Sequence, residues 1–247
     1  MALPGLSNIA SPIPLKYANQ IILMNLTLSK YAEISAKHVI FDLDGTLVDS
    51  APSILASLLA AFNEEGIKPT RPLTPDIIGP PLTVAIASVL GEKSLAKLPI
   101  LTEAFKRHYD EIGYRKTRIY EGVPEMLKEL RETGFSLYIA TNKRIHPTRK
   151  IIDFIGWTDL FEGLYSLDYF EPVLQNKGEM LHYLLKELQK TSLQKIYVGD
   201  RAEDGIAANK NGYRFLWASW GYSVSEFEGI NYTCVKSPKN IIEIINQ

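Results

Sequence analysis

The chain has 247 residues, of which 46% are hydrophobic and 22% are charged, a composition typical of a soluble globular protein. Its formal net charge of −1 gives no support to a nucleic-acid or membrane-surface partner, and no apolar run reaches the roughly 18 residues that a membrane helix needs. The single cysteine, Cys234, has no second cysteine to pair with, and the sequence predicts it to be a buried apolar residue of a protein in a reducing compartment, the cytoplasm.

Residues 1–36 precede the first clear strand pattern, and their early part is rich in proline and small residues. Pro12 and Pro14 interrupt the apolar core that a signal peptide needs, and the first lysine, Lys16, comes late. We therefore expect residues 1–36 to form a poorly ordered or peripheral extension. A gene start placed too far upstream, with Met24 as the true first residue, is the alternative.

An apolar run at residues 39–41 leads directly into Asp42 and Asp44, which one leucine separates, and then into Gly45. Such a run of β-branched and aromatic residues predicts a buried strand of a parallel sheet. Ligand sites of these sheets lie at the carboxyl ends of the strands. One carboxylate there can attack covalently while the other moves protons, so the pair indicates a catalytic site. An Asx turn that caps the strand is the alternative if Asp-x-Asp-Gly stands alone.

Residues 53–118 carry apolar side chains at helical spacing and contain no convincing strand. Ile54, Leu58 and Phe62 lie on one such stripe, and further stripes follow it. We therefore expect an all-helical unit inserted directly after the first strand.

From residue 119 onward, strand and helix patterns alternate, with strands predicted near residues 135–140, 164–167, 195–198 and 213–218. This alternation predicts a parallel sheet with right-handed crossovers. The fold class is therefore α/β, with a Rossmann-like core formed by residues 37–52 and 119–247. Polar side chains follow three of these strands, namely Thr141 with Asn142, then Lys177, then Asp200 with Asp204.

The run DLDGTLVDS at residues 42–50 resembles the first motif of the haloacid dehalogenase-like hydrolases, in particular of their phosphoglycolate phosphatase-like branch. The polar groups after the later strands are similar to the other three motifs of that superfamily, in the same order. The resemblance covers residues 37–222. It implies a Rossmann-like core with an inserted helical cap, which here corresponds to residues 53–118.

The resemblance also implies a role for each motif residue. Asp42 is expected to be the nucleophile that forms an aspartyl phosphate, and Asp44 the general acid and base. A tyrosine replaces Asp44 in the halide-removing members, so Asp44 favours phosphoryl transfer. The phosphoryl oxygens are expected to contact Thr141, Asn142 and Lys177. The ligands expected for Mg²⁺ are Asp42, the backbone carbonyl of Asp44, Asp200 and Asp204.

Substrate choice is expected to depend on the helical cap. Gly79, Pro80 and Leu82 belong to a loop that family members turn towards the active site. The candidates for binding an acidic substrate tail are Arg71, Arg107, His108 and Arg118, and a solvated surface position is the alternative for each.

We therefore expect a Mg²⁺-dependent phosphatase that acts on a small phosphorylated metabolite, nominally phosphoglycolate, as a monomer or homodimer in the cytoplasm. A 5′-nucleotidase-like phosphatase and a sugar phosphomutase remain open alternatives. A phosphonate-cleaving enzyme would need a Schiff-base lysine, for which Lys68 and Lys93 are available. A non-catalytic binding protein of the same fold is the alternative from another class, and the complete set of motif residues speaks against it.

Overall fold

The structure of the protein, a computed structural model, describes residues 36–188, 192–223 and 228–245. The predicted extension at residues 1–36 lies outside the described residues, apart from Ala36. Over these three ranges, no helix is both long enough and apolar enough to cross a bilayer.

Six parallel strands form the central sheet, and two short strands form a separate antiparallel pair. Along the chain the strands are β1 (Ala36–Phe41), β2 (Val48–Asp49), β3 (Arg118–Ile119), β4 (Phe135–Thr141), β5 (Gly163–Ser166), β6 (Ser192–Gly199), β7 (Arg214–Ala218) and β8 (Thr233–Val235). The order in the sheet is β5–β4–β1–β6–β7–β8, so the strand that carries the first motif is central. Every neighbouring pair in this sheet is parallel, as the alternation of patterns predicts.

Helices cover both faces of the sheet and also form the insert. They are α1 (Ala51–Glu64), α2 (Leu82–Ser88), α3 (Leu98–Glu111), α4 (Val123–Glu132), α5 (Ile145–Phe154), α6 (Lys177–Leu188), α7 (Ala202–Lys210) and α8 (Pro238–Ile245). Successive side chains of a strand point to opposite faces. Val39 and Phe41 accordingly lie in one core with α4, α5 and α8, whereas Ile40 lies in the other with α6 and α7. The expected α/β fold with a Rossmann-like core is confirmed.

The regular elements between β2 and β3 are α1, α2, α3 and three short 3₁₀ turns (Pro75–Ile77, Glu92–Lys97 and Gly113–Lys116). Buried side chains such as Leu58 of α1 and Phe105 of α3 join the core that also holds one face of the sheet. β2 and β3 pair antiparallel, which places the two ends of the insert at neighbouring positions. The division into a cap at residues 53–118 and a core stays a prediction.

Candidate active site

Asp42 directly follows β1, at the edge of the sheet where the predicted site residues gather. Its backbone N–H donates to the Val198 carbonyl at 2.8 Å, which fixes the end of β1 against β6. The residue is 2% exposed, and its Oδ2 lies 3.1 Å from Lys177 Nζ. Its Oδ1 is buried without a hydrogen-bond partner in the described part of the chain. One oxygen of Asp42 is thus held by a cation, and the other is available to a ligand.

Lys177, the first residue of α6, is buried between two carboxylates. Its Nζ lies 2.5 Å from Asp204 Oδ1, in addition to its contact with Asp42. Burial alone would lower the pKa of Lys177, but the negative charges of Asp204 and Asp42 hold it well above its usual range. The lysine therefore stays a cation, and it neutralises part of the buried negative charge.

Asp204 lies in the first turn of α7, where both of its oxygens have protein donors. Oδ1 contacts Lys177, and Oδ2 accepts a hydrogen bond from the backbone N–H of Arg201 at 2.9 Å. The second contact satisfies one of the free N–H groups at the start of α7. Asp204 therefore positions Lys177 and stabilises the start of α7. Both contacts are made without a metal ion.

Asp42, Asp200 and Asp204 each bring one carboxylate oxygen to within 4.8 Å of the others. Asp200 is fully buried; burial raises its pKa to about 8, and the charges of Asp204 and Asp42 act in the same direction. Its Oδ2 accepts from the Tyr222 N–H at 2.7 Å, whereas its Oδ1 has no hydrogen-bond partner among the described residues. Two buried, unpartnered carboxylate oxygens within this cluster fit a hard divalent cation, since such ions prefer oxygen ligands.

Gly45 allows the first-motif loop to lie directly against Asp200. Its φ of +83° lies in the left-handed region, and a Cβ there would overlap the Asp200 carboxylate. Any other residue would be strained and would push the two carboxylate-bearing strand ends apart. The glycine of the Asp-x-Asp-Gly sequence is therefore needed for the close packing of the acidic cluster.

Asp44 is held by two donors. Ser50 Oγ donates to Oδ1 at 2.5 Å, and Lys143 Nζ lies 3.1 Å from Oδ1 and 3.0 Å from Oδ2. Because its side chain is already engaged in this way, a cation would reach Asp44 through the backbone carbonyl, as the sequence predicts. Lys143 was not predicted as a site residue, although it directly follows the Thr141-Asn142 pair.

Two of the three predicted phosphate-binding residues lie at the end of β4, where Thr141 is its last residue and Asn142 follows it. Thr141 is 2% exposed, and its Oγ1 accepts from the Lys143 N–H at 3.2 Å. The Asn142 side chain donates to the Gly79 carbonyl at 2.9 Å, which ties this strand end to the insert. One of the two side-chain N–H groups of Asn142 is thus used in holding the insert.

A cavity of about 60 Å³ separates the sheet from the insert. This volume corresponds to a few water molecules at about 10–15 Å³ each. Gly79, Pro80 and Leu82 all line it, as do Asp42 and Asp44, and their role in substrate choice stays a prediction. The other lining residues are mainly apolar and include Ile54, Leu58, Ile78, Ala85, Phe105 and Tyr109.

Two arginines of the core hold the insert in place over this cavity. Arg144 makes a bidentate ion pair with Asp110 of α3, with N–O distances of 2.6 and 2.9 Å. Arg201 Nη2 donates to the carbonyls of Ile78 and Pro75, the latter at 2.8 Å. The structure therefore has the insert closed onto the strand ends.

The candidate cations for an acidic substrate tail are paired or exposed elsewhere on the surface. Arg71 pairs with Asp76, and both Arg107 and His108 pair with Glu64. Arg118 is exposed in the short strand β3. As far as the described residues go, none of the four lines the cavity, and binding of an acidic substrate tail by any of them stays a prediction. The prediction that Cys234 is buried is wrong, because Cys234 is exposed in the edge strand β8.

The structure has a parallel α/β sheet with an acidic cluster at its strand ends, and comparison with known proteins identifies its family. A family model described as "Haloacid dehalogenase-like hydrolase" matches residues 39–218. The chain therefore belongs to the haloacid dehalogenase-like hydrolase family, and the resemblance to the phosphoglycolate phosphatase-like branch is confirmed.

Several curated relatives and solved structures match most of the chain. Tyrosine-protein kinase PtkA of Mycobacterium tuberculosis is 30% identical over 195 residues, which are 78% of this chain but 65% of the kinase. Phosphoglycolate phosphatase of Cereibacter sphaeroides is 31% identical over 74% of this chain and 85% of its own length. A 5′-nucleotidase of Pseudomonas aeruginosa is 27% identical, and the match covers 77% of this chain and 86% of that protein.

Among solved structures, that of a predicted phosphatase from Clostridium acetobutylicum superimposes with a TM-score of 0.72. It is 26% identical to this chain, and the match covers 86% of this chain and all of that one.

Proposed function

We propose that this chain is a Mg²⁺-dependent phosphatase that hydrolyses a small phosphomonoester through an aspartyl phosphate on Asp42. The observation that carries the proposal is the environment of the Asp42 carboxylate, with Lys177 3.1 Å from one oxygen. The other oxygen is buried and has no hydrogen-bond donor in the described ranges. Such a group is costly to bury unless a ligand compensates it, and a carboxylate in this position can act as a nucleophile.

In the proposed first step, an oxygen of Asp42 forms a bond to phosphorus while the bond from phosphorus to the leaving oxygen breaks. Asp44 gives its proton to that leaving oxygen. In the second step a water molecule attacks phosphorus, Asp44 takes a proton from it, and Asp42 is regenerated as inorganic phosphate forms. Lys177 orients Asp42 and offsets the charge that develops on the phosphoryl group.

The residues present fit a magnesium ion. Asp42, Asp200 and the backbone carbonyl of Asp44 would hold it, together with Asp204 directly or through water. The ion would supply the positive charge that lets a phosphate dianion approach several carboxylates. Thr141 Oγ1 and the backbone N–H of Asn142 would hold phosphoryl oxygens on the other side of the nucleophile.

Phosphoglycolate is the first substrate to assay, because the Cereibacter sphaeroides relative carries that activity in its name. The cavity of about 60 Å³ supports a small leaving group. A nucleotide, suggested by the Pseudomonas aeruginosa relative, would require the insert to move away from the strand ends. The oligomeric state, monomer or homodimer, and the cytoplasmic location stay predictions.

The test is the release of p-nitrophenol from p-nitrophenyl phosphate by the purified protein, with Mg²⁺ and with EDTA. We expect turnover that needs the metal and that the Asp42→Asn variant loses. Lys128→Met, a change on the exposed outer face of α4, is a matched control and should keep the full rate. Metal-independent turnover, or turnover that survives Asp42→Asn, would refute the proposal.

Product analysis separates the alternatives. A phosphatase releases one inorganic phosphate per substrate with water alone. A phosphomutase returns the phosphoryl group to a sugar, and a protein kinase such as the relative PtkA passes it to a protein. Stoichiometric release of inorganic phosphate without an added acceptor is the result that we expect.

A further inference from the structure

Lys143 contacts the proposed acid–base group and the insert at the same time. Its Nζ lies 3.0–3.1 Å from both oxygens of Asp44 and 4.6 Å from the centre of the Tyr109 ring. Tyr109 belongs to α3, whereas Lys143 follows β4. The lysine side chain is 6% exposed, so its charge is compensated by the Asp44 carboxylate and the face of this ring.

The orientation of Asp44 depends on both of its donors. Ser50 Oγ reaches Oδ1 at 2.5 Å, and Lys143 bridges Oδ1 and Oδ2. Two donors on one carboxylate fix the rotation of the group about its side-chain bonds. A proton-transfer group works only within hydrogen-bond reach of the atom it serves, so this orientation matters for the reaction.

The contact between Lys143 and Tyr109 is made only when α3 is seated on the core. The next residue of α3, Asp110, is held at the same point by two further cations of the core. Arg144 forms the bidentate pair with its carboxylate, and Lys150 Nζ donates to its backbone carbonyl at 2.6 Å. The turn of α3 that contains Tyr109 and Asp110 is therefore bound to the core beside Lys143, the residue that contacts Asp44.

We propose that Lys143 is a positioning residue that aims Asp44 at the leaving oxygen once Tyr109 of α3 covers it. Closure of the insert then also orients the Asp44 carboxylate for proton transfer. A proton is delivered only in a cavity that already excludes water. This inference rests on the proposed phosphatase activity and adds a residue that none of the four motif roles includes.

The test compares two substrates of nearly equal shape, phenyl phosphate and p-nitrophenyl phosphate. Nitrophenolate is a good leaving group and departs without being protonated. Phenolate is a poorer leaving group, so its departure depends more on a proton from the general acid. The measured quantity is kcat/KM, which covers the steps up to the aspartyl phosphate. We expect Lys143→Met to lower it about 10²-fold or more for phenyl phosphate, the range of general acid catalysis, and less than tenfold for the nitrophenyl ester.

A second variant keeps the test decisive if Lys143→Met does not fold. Tyr109→Leu leaves the lysine in place but removes the ring face. We expect the ratio of kcat/KM for the two substrates to change in the same direction as in Lys143→Met, but by a smaller factor of about 2- to 10-fold. Lys143→Arg keeps a cation with donors for both oxygens of Asp44 and should move the ratio back towards that of the unaltered protein. Lys128→Met serves again as the exposed control and should leave both substrates unchanged.

Equal losses for the two substrates, or a change confined to KM, would overturn the inference and make Lys143 a substrate-binding or purely structural group. These results leave the phosphatase proposal intact, because the unaltered protein still turns over both esters. If the unaltered protein turns over neither ester, the proposed function itself fails, and the inference fails with it.

Discussion

Replacing Lys177 with methionine is expected to destabilise the protein strongly. The Lys177 side chain is 4% exposed, and those of its partners Asp42 and Asp204 are 3% and 1% exposed. Methionine fills a similar volume but leaves two buried carboxylates without their cation. Breaking a buried ion pair by removing one partner costs about 3–5 kcal/mol. For a domain of this size that loss corresponds to a fall in Tm of about 6–20 °C.

The measurement is chemical and thermal unfolding followed by circular dichroism, in EDTA so that no divalent ion replaces the lost charge. Lys186→Met changes an exposed lysine of the same helix and should stay within about 0.5 kcal/mol of the unaltered protein. The double variant Lys177→Met/Asp204→Asn removes one of the stranded charges. We expect it to recover roughly half of the loss, since the charge of Asp42 remains.

A loss below about 1 kcal/mol for Lys177→Met would refute this reasoning, since a loss that small is typical of an exposed pair. A double variant that is less stable than Lys177→Met would also refute it, because charge repulsion would then not be the cause.

Three further predictions concern chemistry, metal and selectivity. Asp42→Asn should lower turnover more than about 10²-fold with unchanged circular dichroism, and a smaller loss would contradict covalent catalysis. Mg²⁺ at about 100 times its Kd should stabilise the protein by about 2.7 kcal/mol, measured as a rise in Tm that Asp200→Asn abolishes; an equal rise in the variant would place the ion elsewhere. Leu82→Ala should change the ranking of kcat/KM among phosphomonoesters, whereas Lys177→Ala should lower all of them alike; the opposite pattern would exclude the loop at residues 79–82 as the selectivity element.

The central strands could be predicted from the sequence because their evidence is local. Strand β1 is an apolar run that ends at Asp42, and β6 is a similar run that ends at Asp200. Parallel pairing then brings both ends to the same edge, which needs no knowledge of side-chain contacts. The short strands β2 and β3 have two residues each, too few to show a period, and they were missed.

Contacts between the insert and the core could not be predicted, because they depend on how the surface of the insert packs on the surface of the core. Lys143 and Arg144 follow the second motif and look like solvated charges in the sequence, yet they contact Asp44 and Asp110. Conversely, Arg107 was a candidate for the site but pairs with a carboxylate on its own side of the insert. Charge alone does not tell a site residue from a surface pair.

The antiparallel pairing of β2 with β3 places the two ends of the helical insert beside each other. Val48 lies opposite Ile119, and Asp49 lies opposite Arg118, so the chain enters and leaves the insert at neighbouring positions. The two ends of the insert are therefore held at one place, beside the loop that carries Asp42 and Asp44. We therefore expect that the helices of another protein, joined at these two neighbouring positions, would change what enters the cavity, provided that they keep the contacts with Asn142, Arg144 and Arg201.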